Sequence, residues 1–218
     1  MDLKEIETKL SSTDMYDRLD ALKALKGYSE EIALPLLMKV RKDEKFLVRS
    51  FVAMGLGANK TADSFAALLE MLKLDRDTNV RAEASNSLSL FGEVAVPHLQ
   101  QAFHQDDNWL VRLSILGALM ELNCPEELFD VCVCGIKGDD HGVQENSISC
   151  LASLVDTNRE KEALALILMM ADNPSWRIRL KVAQSLRAFS HSSAKEALTK
   201  FTQDEDYRVV AVALEENK

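Results

Sequence analysis

One phrase recurs along the chain at intervals of 31, 32, 31, 32, 35 and 29 residues, and a period of that length restricts the fold more than any other property. It is often an Asp, then a few residues later an apolar residue, an Arg, and small or apolar residues three and seven places on. The anchor falls at Arg18, Arg49, Arg81, Arg112, Gln144, Arg179 and Arg208. After Arg49 come Val52 and Leu56; after Arg81, Ala84 and Leu88; after Arg112, Ile115 and Leu119; after Arg179, Val182 and Leu186. Offsets of three and seven lie on one face of an α-helix. A further apolar helix fits between successive anchors, as in Ile32, Leu36, Leu37 and Val40, or Phe65, Leu68, Leu69 and Leu72. Each repeat is therefore a pair of antiparallel helices that buries its apolar faces only by stacking on its neighbours.

This reading predicts an all-α solenoid of about seven hairpins forming one domain over residues 1–218. First helices are expected near 3–10, 30–41, 61–73, 93–104, 125–137, 159–171 and 193–202. Second helices follow near 14–26, 45–57, 77–91, 108–122, 141–155, 175–189 and 205–215. Asp77, Asp140 and Asp204 stand where an N-cap would satisfy the free N–H groups of second helices. Thr157 with Glu160, and Ser193 with Glu196, have capping-box spacing before first helices. The closing Glu215-Glu216-Asn217-Lys218 is polar, as a terminal repeat requires.

Composition narrows the function. A net charge of −9 opposes nonspecific binding to nucleic acid, and the basic residues are spread among carboxylates. The longest apolar run, Ala163 to Ala171, is too short to span a bilayer, and the N-terminus lacks the pattern of a secretory signal. Cys124, Cys132, Cys134 and Cys150 fall in one segment and cannot staple the chain as a whole. A reducing, cytoplasmic setting follows as the simplest expectation.

The anchor phrases Asp77-Thr78-Asn79-Val80-Arg81-Ala82-Glu83-Ala84 and Asn108-Trp109-Leu110-Val111-Arg112 resemble the HEAT-like repeats of the phycobilisome lyase and phycobilisome-degradation family. The resemblance extends over nearly the whole chain and implies a right-handed α-solenoid of HEAT-like hairpins. That family includes phycobilin lyase subunits, relatives implicated in phycobilisome breakdown, and helpers of other assembly processes. The repeat itself also occurs in many adaptors, and no catalytic signature is carried over residue by residue.

Four groups of residues are candidates for a role. Arg49, Arg81, Arg112 and Arg179 read as a structural ladder, with Asp77, Asp107, Asp140 and Asp204 nearby to accept charge-assisted hydrogen bonds. Gln144 breaks the series in the fifth repeat. Three residues before each anchor stand Met15, Phe46, Thr78, Trp109, His141, Trp176 and Glu205. Of these, Trp109 and Trp176 are ridge candidates that fit either packing on the next repeat or an exposed anchor for a partner. By fold analogy, second helices line a concave surface, which places Phe51, Met54, Glu83, Asn86, Ser114, Gly117 and Glu121 on a binding face. The Cys132-x-Cys134 pair lacks a second pair at zinc spacing, so buried apolar cysteines are expected and no metal site.

No phosphate loop, metalloprotease helix or nucleophile elbow is present, so catalytic residues stay unassigned. The expected function is a protein-binding scaffold or adaptor, such as an assembly or turnover factor without a cofactor. Its partner is another protein, either a phycobiliprotein or a basic segment, rather than a membrane or nucleic acid. The enzymatic alternative is a phycobilin lyase or chromophore-detaching factor that holds a bilin transiently.

Overall fold

The computed structural model describes residues 1–215, and the final Glu216-Asn217-Lys218 of the expected polar cap lies outside the described residues. Among the described residues there are fourteen α-helices, one short 3-10 turn and no strands. They group into two compact units, Met1–Leu122 and Asn123–Lys218.

In the first unit the helices are α1 (Leu3–Leu10), α2 (Met15–Leu25), α3 (Glu30–Val40), α4 (Phe46–Ala58), α5 (Ala62–Leu74), α6 (Thr78–Ser89), α7 (Val96–Gln105) and α8 (Trp109–Glu121). The 3-10 turn Gly92–Ala95 leads into α7 and occupies the start expected for that helix. Each odd helix packs on the following even one, and the even helices pack side by side, α2 on α4, α4 on α6 and α6 on α8. The result is two helical layers, the stacking unit of an α-solenoid.

The second unit contains α9 (Pro125–Lys137), α10 (His141–Ala152), α11 (Glu160–Met169), α12 (Trp176–Leu186), α13 (Ser192–Phe201) and α14 (Tyr207–Leu214). Here α9 pairs with α10, α11 with α12 and α13 with α14, while α10 packs on α12 and α12 on α14.

Burial follows the repeat phase. The position seven after the anchor is a leucine in six repeats, Leu25, Leu56, Leu88, Leu119, Leu151 and Leu186, and every one is buried. The position one before it is Val48, Val80, Val111, Val143 or Ile178, again buried. Each such side chain contributes about 1.5–3 kcal/mol when withdrawn from water.

Small residues set the closest helix approaches. A Cβ added at Gly57 of α4 would stand 2.8 Å from the Ser87 Cβ of α6. One added at Gly135 of α9 would collide with the Ser147 hydroxyl of α10.

Helix starts correct part of the sequence reading. Asp77 and Asp140 cap α6 and α10, accepting from the amides of Asn79 and Val143. Asp204 does not cap α14; Asp206 does, accepting from the Arg208 amide. The two capping boxes do not form. The α11 N-cap is Arg159 and that of α13 is His191, neither with a side-chain cap bond. Thr157 and Glu160 instead fold the preceding turn, accepting from the amides of Arg159 and Asp156 respectively.

Candidate functional site

The anchors share one backbone bond. Arg18, Arg49, Arg81, Arg112, Gln144 and Arg179 each donate to the carbonyl six residues upstream, at Ser12, Asp43, Asp75, Asp106, Gly138 and Asn173. The side chain thus reaches back across its own helix start and fastens the loop before it.

Four anchors also hold a carboxylate from the following repeat. Arg49 grips Asp75 through Nε and Nη2 at 2.6 and 2.7 Å, and Arg81 grips Asp106 at 2.6 and 3.3 Å. Arg179 holds Asp204 at 2.8 and 3.0 Å, and the Arg18 Nη2 donates to Asp43 at 3.1 Å. The carboxylates are also used twice. Asp43, Asp75, Asp106 and Asp204 each accept the amide two residues on. Such a doubly bonded rung ties two repeats together and orders the turn that opens the second helix.

The accepting carboxylates therefore sit six residues before an anchor position, which differs from the expected set. Asp77 and Asp140 are caps, Asp107 is exposed, and of the four only Asp204 takes an anchor arginine. Arg112 has different surroundings from the four paired anchors within its unit. Its guanidinium lies 5.3 Å from the Phe103 ring centroid. Arg208 is out of phase by two residues. It pairs with its own cap residue Asp206 at 2.7 and 2.9 Å, and Val210 occupies the anchor position of α14.

Electrostatics agree with this geometry. Burial would raise the Asp75 carboxyl, but the Arg49 hydrogen bonds, the Asp77 amide and nearby arginine charge outweigh it and hold Asp75 below the usual carboxylate range. Hydrogen bonds from Arg179 lower Asp204 likewise, and those from Arg208 bring Asp206 down to about 2.

The two tryptophans differ. Trp109 heads α8 and is 52% exposed. Trp176 heads α12 and is half-buried, with the Arg208 guanidinium 3.2 Å from its ring centroid and that of Arg177 at 5.5 Å. One ridge candidate is open, and the other is occupied by cation–π stacking.

In the first unit, the side of the second-helix layer facing away from the first helices is open. Phe51 of α4 is half-buried and Met54 is 52% exposed, so neither is core. Asn86 of α6 and Glu121 of α8 are exposed, while Glu83, Ser114 and Gly117 are half-buried. A Cβ added at Gly117 would meet nothing within 4 Å, which marks open space there.

Extending the phase adds residues missed in the sequence. Positions two before and nine after the anchor fall on the same side of a helix, within about 40° of positions two and five after it. They bring in Leu47 and Ala58 on α4 and Leu90 just past α6, with Leu90 49% exposed. The outward column of α4 is then Leu47, Phe51, Met54 and Ala58, entirely apolar. On α2 it is flanked by Asp20 and Lys23, which bond at 3.4 Å while Lys23 Nζ lies 5.8 Å from the Phe51 ring centroid. Glu83 is raised above the ordinary glutamate range by burial.

Cys132 and Cys150 are buried, and none of the four cysteines is in a disulfide among the described residues. Burial and the neighbouring Glu127 push the Cys124 thiol up to about 11, and burial pushes Cys132 up as well. Thiols so disfavoured as thiolates are poor nucleophiles and poor ligands. Among the described residues no group of three His, Cys, Asp or Glu side chains could hold a metal ion. Nor is any helix long and apolar enough to cross a membrane.

No curated protein matches the sequence. Among solved structures, CpcE and CpcF of phycocyanin lyase from Nostoc sp. PCC7120 are similar at a TM-score of 0.55 and 17% identity, over 97% of this chain and 92% of that one. The Escherichia coli protein YibA is similar at 0.62 and 15% identity, over 98% and 91%. Kap95p, solved with RanGDP, reaches 0.71 and 15% identity over 97% of this chain, which spans 34% of that one. These likenesses show the fold alone. The family model for HEAT repeats matches residues 3–89, 34–120 and 135–217, which together take in most of the sequence. With its anchors, stacked hairpins and repeat period accounted for, the chain belongs to the HEAT-repeat family.

Proposed function

We propose that the protein is a binding scaffold that docks another protein on the open side of its second-helix layer in the first unit. One observation carries this reading: the outward column of α4 is apolar from Leu47 to Ala58, and Met54 stands open to solvent at its centre. A helix side that faces solvent is normally polar. Here the side facing away from the first helices is left bare, with polar residues on α2 and α6 around it. An apolar centre with a polar rim is the anatomy of a protein interface. The fold supports the reading, since Kap95p with RanGDP and CpcE with CpcF are solenoids solved as protein complexes. The likeness in length and fold to the CpcE–CpcF pair motivates the enzymatic rival, action on a bilin of a phycobiliprotein.

The test is affinity capture from the native organism, repeated with Phe51→Ala, Trp109→Ala and the exposed control Lys195→Ala. Phe51→Ala is expected to weaken the specific partner by about 1–3 kcal/mol while the helical circular dichroism stays unchanged. A partner held equally by Phe51→Ala and lost with Trp109→Ala moves the site to the ridge. Incubation with a labelled phycobiliprotein decides the rival: bilin transfer or release replaces the passive scaffold with a lyase.

A further inference from the structure

The open side of the first unit contains a carboxylate that no described residue neutralises. Glu83 lies on α6, half-buried, in the column next to the apolar stripe of α4. Among the described residues it makes no hydrogen bond and no ion pair. Lys23 lies on α2 beyond α4 and is engaged by Asp20 and the Phe51 ring, and Arg81 of α6 itself is taken by Asp106. Partial burial of a carboxylate without a partner costs some of its hydration, and burial alone is what shifts Glu83. By contrast, Arg49 and Arg81 in the same helices are fully paired. The cost at Glu83 is recovered when a cation arrives from outside.

Building on the docking face proposed above, we infer that its occupant is a protein segment presenting an arginine beside an apolar side chain. The guanidinium pairs with Glu83, and the apolar neighbour lies on Phe51 and Met54. Arginine fits better than lysine, because it is more weakly hydrated and its planar fork meets both carboxylate oxygens. Ser114 at the equivalent position of α8 and Gly117 one turn on leave room beside Glu83, and no Cβ stands at Gly117 to obstruct approach. Exposed Glu121 adds negative charge at the rim, which speeds the approach of a basic segment at low salt. In this arrangement Glu83 determines specificity and the α4 stripe supplies affinity.

The full-length protein is used to select from a displayed library of short random peptides. The best binders are then titrated against the parent, Glu83→Gln, Phe51→Ala and Lys195→Ala. Arginine next to an apolar residue should be enriched. Glu83→Gln should weaken such a peptide about 10-fold or more, as should replacing its arginine by citrulline, and the two changes together should cost little more than either. Peptides that need Phe51 but show no arginine preference overturn this inference and leave the docking face standing. Peptides indifferent to both Phe51 and Glu83, or no selection above background, remove the docking face itself.

Discussion

At the scale of single residues, two arginines in the same repeat position have different surroundings and should respond differently to removal. Arg49 is 5% exposed and grips Asp75 with two nitrogens, so Arg49→Ala strands a buried carboxylate. The expected loss is about 3–5 kcal/mol by chemical denaturation. Arg112 has a backbone carbonyl and the Phe103 ring instead, and Arg112→Ala should cost only about 1–2 kcal/mol. Equal losses would refute the rung account. The arginines were legible from their spacing, but their partners were not. The sequence shows Asp in several positions near each anchor, and only folding decides which of them the arginine reaches. Glu83 was legible as a face residue, but its isolation was not, because pairing depends on which side chains the neighbouring helices bring to it.

At the scale of helices, the boundaries were readable because the period-3.6 apolar pattern and the Asp caps agree, as at Asp77 and Asp140. The last hairpin was misphased because Arg208 imitates an anchor two residues early, whereas buried Val209 keeps the register of Val48 and Val80. Close packing between helices was invisible, since a glycine in a helix does not announce what faces it. Gly135 and Ser147 are such a pair on α9 and α10. Both are buried, and the Ser147 hydroxyl has no hydrogen-bond partner. Gly135→Ala should lower stability by about 1–3 kcal/mol through overpacking. Ser147→Ala should be neutral or stabilising, because it removes an unsatisfied hydroxyl. Combined, the two should cost less than Gly135→Ala alone. Thermal melts of the three variants check this, and strict additivity would show that the two side chains do not meet.

At the scale of the molecule, opposed groups shape how stability depends on pH. Asp75, Asp204 and Asp206 have folded values below the ordinary 3.8. Their contribution is complete above the unfolded value and disappears as pH falls through the folded one, when the unfolded chain no longer binds more protons than the native state. Glu83 is shifted the other way, above its ordinary 4.5, by burial. Its protonated form is favoured in the folded state, so stability declines as pH rises from the unfolded value through the folded one and stays lower beyond it. The chain should therefore lose stability steeply below about pH 4, in the range where ordinary carboxylates protonate, and show a shallow decline on the other side. Urea midpoints measured across pH separate the two limbs. Asp75→Asn should be less stable than the parent at neutral pH and show a flatter acid limb, because one lowered carboxylate is gone. Glu83→Gln should be at least as stable as the parent at neutral pH and lose the shallow decline, while binding the arginine-bearing segment more weakly. A Glu83→Gln protein less stable than the parent at pH 7 would mean that the carboxylate has a partner within the fold, and its assignment to an external arginine would fail.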